Sequence, residues 1–148
     1  MKIAIGCDHR GLRLKQSIIE ELKVLGHQHH DFGAFSEGSV DYPDVAGEVA
    51  RAVASGKGFD AGILICGTGI GMSIAANKVR GIRAAHATDP VSARLAKQHN
   101  NANILCTGGS IVGEEVGREV VRAFLSATFE GGRHERRVDK IADLERGK

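Results

Sequence analysis
The stretch Asp60-Ala61-Gly62-Ile63-Leu64-Ile65-Cys66-Gly67-Thr68-Gly69-Ile70-Gly71 decides how this chain folds. A short apolar run, Ile63 to Ile65, ends at Cys66 and passes at once into a glycine-rich turn, after which the pattern becomes helical. Such a run reads as a buried strand. The turn then sets a thiol and a row of backbone N–H groups at the carboxyl end of that strand, which is where ligands bind in open α/β sheets.

Working outward, strand-like runs alternate with helical patterns. Lys2–Cys7 is a short apolar run, and Leu14, Ile18, Leu22 and Leu25 then hold one helical face, closed by Gly26. His27–Phe32 reads as a second, more exposed strand. A Gly/Ser-rich loop leads to Pro43, which suits the start of a helix bearing Val45, Val49 and Val53. Ala61–Cys66 is the third strand and Ile82–Ala87 the fourth. Asp89-Pro90 marks the N-cap and first turn of the next helix. Asn103–Cys106 is a fifth strand, followed by a helix over Gly113–Phe124 with Val116, Val120 and Phe124 on one side. This alternation predicts one α/β domain over residues 1–148, a parallel sheet with helices on both faces. From Gly131 onward, alternating charges flank a thin apolar stripe of Val138, Ile141 and Leu144. A helix there is not stable alone and must pack on the domain or on another subunit.

With 148 residues, 42% apolar and 26% charged, the composition is that of an ordinary globular protein. A net charge of +2 is too small to argue for nucleic acid or an anionic membrane, and neither is expected as a partner. No apolar run approaches the ~20 residues that cross a bilayer. Met1–Asp8 has no apolar region long enough for a signal peptide. Three cysteines, Cys7, Cys66 and Cys106, form no CxxC pair, so neither a disulfide framework nor structural zinc is expected. The cytoplasm is the simplest compartment.

The chemistry concentrates in the turn. GxxxxGK[ST] is absent, and GxGxxG fails because Met72 stands where the last glycine belongs. What remains is a nest of N–H groups suited to a phosphate or an oxyanion. Three glycines in five residues cost too much conformational entropy for a bare turn. Cys66, just before a helix, is placed to be a thiolate, acting as nucleophile or general base. Cys7 and Cys106 read as inert packing.

Asp8-His9 ends the first strand at the same sheet edge as Cys66, where polar groups favour a site role. His99 and Asn100 fall at the opposite end by winding. A catalytic His99 therefore has to reach a neighbouring subunit's site. His27, His29 and His30 lack a completing ligand shell, so an exposed edge strand is expected there and no metal. Arg133 and Arg137, four apart on one helix face, either clamp a phosphate or form a solvated charged face.

IAIGCDHRG at the start, DYPD at 41–44, ILICGTGIGMSIAANK at 63–78, SARLAKQHNNAN at 92–103 and FEGGRHERRVDKI at 129–141 together resemble the ribose/galactose phosphate isomerase family, on its B-type ribose 5-phosphate isomerase branch. The resemblance implies a three-layer flavodoxin-like (Rossmann-type) fold with a five-stranded parallel sheet in the order 2-1-3-4-5. It further implies a C-terminal helix extension, 130–148, at the interface of a homodimer that can pair into a dimer of dimers, and no cofactor or metal. The implied activity is reversible isomerisation of D-ribose 5-phosphate and D-ribulose 5-phosphate. Cys66 would be the base, and Thr68 with the N–H groups of Gly67, Gly69, Ile70 and Gly71 would hold the enediolate oxygens. His99, helped by Asp8, would open the sugar ring and Asn100 would bind the sugar, both from the partner subunit. His9, Arg133 and Arg137 would bind phosphate and Tyr42 would line the pocket. Ser110 departs from the family pattern, since many relatives carry arginine in that turn. The alternatives are an isomerase of another phosphorylated aldose (allose, galactose or tetrose phosphate), or a phosphosugar-binding module in which Cys66 is merely buried.

Overall fold
The computed structural model describes residues 1–147, and Lys148, the last residue of the expected extension, lies outside them. The elements run β1 (Lys2–Cys7), α1 (Leu12–Val24), β2 (Gln28–Asp31), α2 (Tyr42–Ala54), β3 (Ala61–Cys66), α3 (Ile70–Ala76), β4 (Ala84–His86), α4 (Pro90–Asn100), β5 (Ile104–Gly108), α5 (Glu114–Ser126) and α6 (Arg133–Glu145). All strand pairs are parallel. β3 is buried along its whole length, as an apolar run covered by helices on both faces must be.

Alternation along β3 divides the interior into two layers. Ile63 and Ile65 pack with Ile3, Ile5 and Leu105 against Leu14, Ile18 and Leu22 of α1 and Val120, Val121 and Phe124 of α5. Leu64 and Cys66 pack with Ala4, Ile104 and Cys106 against Val45, Val49 and Val53 of α2 and Met72 and Ala76 of α3. Each fully buried aliphatic side chain contributes about 2 kcal/mol. This three-layer arrangement is the flavodoxin-like α/β fold that the sequence predicts.

The strand order is β2-β1-β3-β5-β4, which corrects the expected 2-1-3-4-5. Burial explains the change. All five residues of β5 are buried, whereas β4 has three residues that are half-buried to exposed. The fully apolar strand therefore takes the interior slot and the short one takes the edge. The β4-to-β5 connection runs back across the sheet, so right-handed winding carries α4 to the face opposite α3; Ala93 of α4 accordingly joins the α1/α5 layer.

Several helix boundaries follow from caps. Asp89 accepts the Ser92 N–H at 2.8 Å, and Pro90 opens α4. Val116 and Leu25, expected on apolar faces, are exposed instead, Leu25 as the C-cap residue of α1. β2 is the edge strand anticipated for the histidine cluster. On α6, Val138 is half-buried, while Ile141 and Leu144 are exposed, Leu144 at 74%. No helix among the described residues is long and apolar enough to cross a membrane.

Candidate active site
The sheet reverses its winding between β1 and β3, and the crevice at such a switch point is the expected ligand site of an open α/β sheet. Here it is an open cleft of about 510 Å³ lined by Asp8, Arg10, Tyr42, Cys66, Gly67, Thr68, Ile70, Gly71 and Ile74. Strand register builds it. Cys7 pairs with Ile65, so Asp8 comes level with Cys66, and its N–H donates to the Ile65 carbonyl at 3.0 Å.

Cys66 is 5% exposed, and its Sγ accepts the Gly69 N–H at 3.1 Å. Gly69 has φ +85, a region that side chains disfavour, and a Cβ there would stand 2.7 Å from the Thr107 carbonyl carbon. A Cβ on Gly71 would meet the Tyr42 ring at 2.7 Å, so the absence of a side chain lets Tyr42 lean over the turn. The nest is partly used by the protein itself. Besides Gly69, the Ile70 N–H donates to Thr68 Oγ1 at 3.2 Å. Asp8 also works locally, its Oδ1 accepting the N–H groups of Arg10 (2.9 Å) and Gly11 (3.2 Å) at the start of α1.

The other thiols behave as packing. Burial pushes the Cys7 thiol up to about 11, and burial, with Cys66 beside it, pushes Cys106 up as well.

His9 stands next to the cleft, its Nδ1 accepting the Val40 N–H at 3.3 Å, which leaves Nε2 as the protonated nitrogen of the neutral ring. The loop carrying Val40 is tethered by Lys15. That side chain is 1% exposed and donates from Nζ to Asp31 Oδ1 (2.7 Å) and the Ala34 carbonyl (2.5 Å).

His99, Asn100, Arg133 and Arg137 do not line this cleft. His99 lies in the last turn of α4 and stacks on His134, ring centroids 4.2 Å apart and 4° from parallel. Glu130 Oε2 lies 3.7 Å from His99 Nε2 and 3.4 Å from His134 Nε2. The Glu130 N–H donates to the Gln98 carbonyl at 3.0 Å, fixing the segment before α6 to α4. Burial, then the charges of His99 and Arg133, hold the His134 imidazole below the usual histidine range. The His99, Glu130 and His134 ligand atoms fall within 4.8 Å of one another. In stacked rings, however, the nitrogen lone pairs lie in parallel planes and do not converge on one ion. Arg133 and Arg137 are exposed on the first turns of α6.

Sequence reasoning missed Arg10, Lys15, Glu130 and His134, and also His86, whose Nε2 lies 2.8 Å from the Thr68 carbonyl oxygen. The rule that flagged Asp8, a polar group ending an apolar strand, applies equally to His86 at the end of β4. Ser110, the departure from the family pattern, flanks its own chain's turn. Its Oγ stands 3.6 Å, and Arg10 Cδ 3.1 Å, from where a Cβ on Gly67 would be.

Fold and cleft together define a doubly wound α/β protein with a thiol and a glycine-rich turn of backbone N–H groups at the switch point, the place where enzymes of this architecture hold small ligands. The chain belongs to the Ribose/Galactose Isomerase family, which it matches over residues 3–141. It is 50% identical over 144 residues to ribose-5-phosphate isomerase B of Escherichia coli, covering 97% of this chain and 96% of that protein. Its fold superposes on ribose-5-phosphate isomerase B of Clostridium thermocellum with a TM-score of 0.97, at 51% identity and 99% coverage of both chains. The enzyme of Mycoplasma genitalium, solved with bound ribulose-5-phosphate, matches with a TM-score of 0.94 at 45% identity, over 99% of this chain and 97% of that one.

Proposed function
We propose that residues 1–148 act as one isomerase domain that interconverts D-ribose 5-phosphate and D-ribulose 5-phosphate through a cis-enediolate. The observation that carries this reading is the Cys66 Sγ held at 3.1 Å by the Gly69 N–H inside a cleft that also presents Asp8 and Tyr42. On the open-chain aldose, the Cys66 thiolate removes the C2 proton. The C1 oxygen gains negative charge as the enediolate forms, and the nest N–H groups left uncommitted, with the Thr68 hydroxyl, stabilise it. The same proton returns to C1 as the hydroxyl proton of the C2 oxygen passes to the C1 oxygen, which leaves a ketone at C2 and a hydroxyl at C1. A cis-enediolate keeps both carbons within reach of one base. Hydrogen moves as a proton throughout, so the reading invokes no cofactor.

The cleft of a single chain is incomplete. Among the described residues no histidine lines it to open the cyclic sugar with Asp8, and its rim exposes Ile70 and Ile74, at 51% and 59%. A second copy in a homodimer supplies His99 for ring opening and Asn100 for sugar contact, with Arg133 and Arg137 joining His9 and Arg10 on the phosphate. Exposed Ile141 and Leu144 on α6 give that copy apolar area to cover. Three unpaired thiols suit the reducing cytoplasm.

Cys66→Ala tests the reading. It should lower kcat by about 10²–10⁴-fold, the usual worth of a positioned base, while ribitol 5-phosphate still binds as it does to wild type. Turnover retained in Cys66→Ala removes Cys66 as the base.

A further inference from the structure
We propose that His86, which lies outside the cleft, is a positioning residue that orients the Thr68–Gly69 peptide so that its N–H addresses the Cys66 sulfur. The inference rests on the reading of Cys66 as the base. Two contacts meet on one peptide unit. His86 Nε2 lies 2.8 Å from the Thr68 carbonyl oxygen, and the N–H of the same unit, that of Gly69, donates to Cys66 Sγ at 3.1 Å. A carbonyl oxygen only accepts, so Nε2 carries a proton and donates, in the neutral ring and in the imidazolium alike.

The geometry of the peptide makes this clamp effective. In a trans unit the C=O and N–H point in opposite directions, so holding the oxygen on the β4 side aims the N–H at the sulfur. A hydrogen bond accepted by the carbonyl also polarises the unit and strengthens the N–H as a donor. Gly69 makes such a clamp necessary. A glycine at φ +85 is free of the steric barriers that restrict other residues, so the backbone alone leaves the peptide able to turn its oxygen toward the sulfur. His86 has a firm base for the task. It pairs with Cys106 across β4 and β5, the next N–H, that of Ala87, donates to the Cys106 carbonyl at 3.0 Å, and its Cδ2 packs 2.9 Å from where a Gly69 Cβ would stand. The titratable groups sharing the cleft with the thiol are Asp8, Arg10 and Tyr42, with Cys106 behind it, and His86 acts through the peptide rather than by facing the sulfur.

The test reads the thiolate directly. Iodoacetamide alkylation of Cys66 is followed by peptide mass spectrometry across pH, in wild type, His86→Leu and His86→Gln, beside kcat and KM. Leucine fills the space without a donor, whereas glutamine restores an N–H at similar reach. His86→Leu should slow alkylation at neutral pH about fivefold, the factor to which about 1 kcal/mol for one net hydrogen bond converts. Its pH midpoint should rise, kcat should fall in parallel with KM little changed, and His86→Gln should recover most of the loss. A wild-type alkylation profile in His86→Leu overturns the proposal, and so does equal impairment by leucine and glutamine. If alkylation shifts as expected but kcat does not, the positioning role stands and Cys66 as the base falls.

Discussion
At the scale of single residues, the turn after β3 is governed by what its glycines lack. Gly69 combines φ +85 with a space closed by Thr107 backbone, while the space beside Gly71 is filled by a side-chain ring, that of Tyr42, which is 40% exposed. The two positions therefore respond differently to the same added methyl. Gly69→Ala meets backbone that cannot step aside and should cost about 2 kcal/mol or more in urea unfolding. Gly71→Ala should cost less, because Tyr42 can rotate out, and should instead raise KM through the displaced ring. Equal destabilisation by both substitutions would contradict this account.

At the scale of elements, α1 and α5 are joined by a partly buried ion pair that the sequence hides. Glu21, 6% exposed on α1, accepts from Arg122 Nε (2.5 Å) and Nη2 (3.1 Å) of α5, with Arg118 at 3.9 Å. The hydrogen bond from Arg122 is the main reason the Glu21 carboxyl lies below its ordinary value of 4.5. A carboxyl whose value is depressed on folding stabilises fully above its unfolded value and loses that contribution as pH falls through the folded one. Glu21→Gln should cost about 1–2 kcal/mol at pH 7, since solvent reaches the arginine and screens the pair. The difference from wild type should shrink as the medium is taken below about pH 4.5 and vanish at lower pH. A gap that stays constant down to pH 3 would show that the pair carries no charge-dependent stability. The reversed order of β4 and β5 belongs to this scale too. Arg83 and His86 around a three-residue strand are edge-strand signals, and the buried run Ile104–Gly108 is an interior one, so the order was partly readable from burial pattern.

At the scale of the whole molecule, the residues assigned to one reaction sit in two places. Asp8, Arg10, Tyr42, Cys66 and Thr68 surround the cleft, while His99 stacks on His134 at the far end of the sheet. Under the homodimer reading, Cys66→Ala and His99→Ala each disable both sites on cyclic ribose 5-phosphate. When equal amounts are unfolded and refolded together, half the dimers are mixed and each holds one intact site. Activity should then recover to about a quarter of wild type. Absence of recovery, with mixed dimers demonstrated by mass, would place the two residues in the same subunit's site or outside catalysis.

The class of fold and the centre of the candidate site are both legible in local sequence pattern. Hydrophobic period marks β1, β3 and the helix faces, and the passage from Ile65 through Cys66 into three glycines places the thiol and the nest at a strand's carboxyl end, because both are local properties of a few consecutive residues. Tertiary structure decided what depends on distant segments meeting. It settled which strand takes the edge, which N–H groups of the nest are already spent on Sγ and on Thr68, how Arg10 and Ser110 come to flank Gly67, and why His86 reaches the Thr68 carbonyl from another strand. Those facts follow from packing and register between elements far apart in the chain, and apart from the polar residues that mark β4 as an edge strand, no local pattern encodes them.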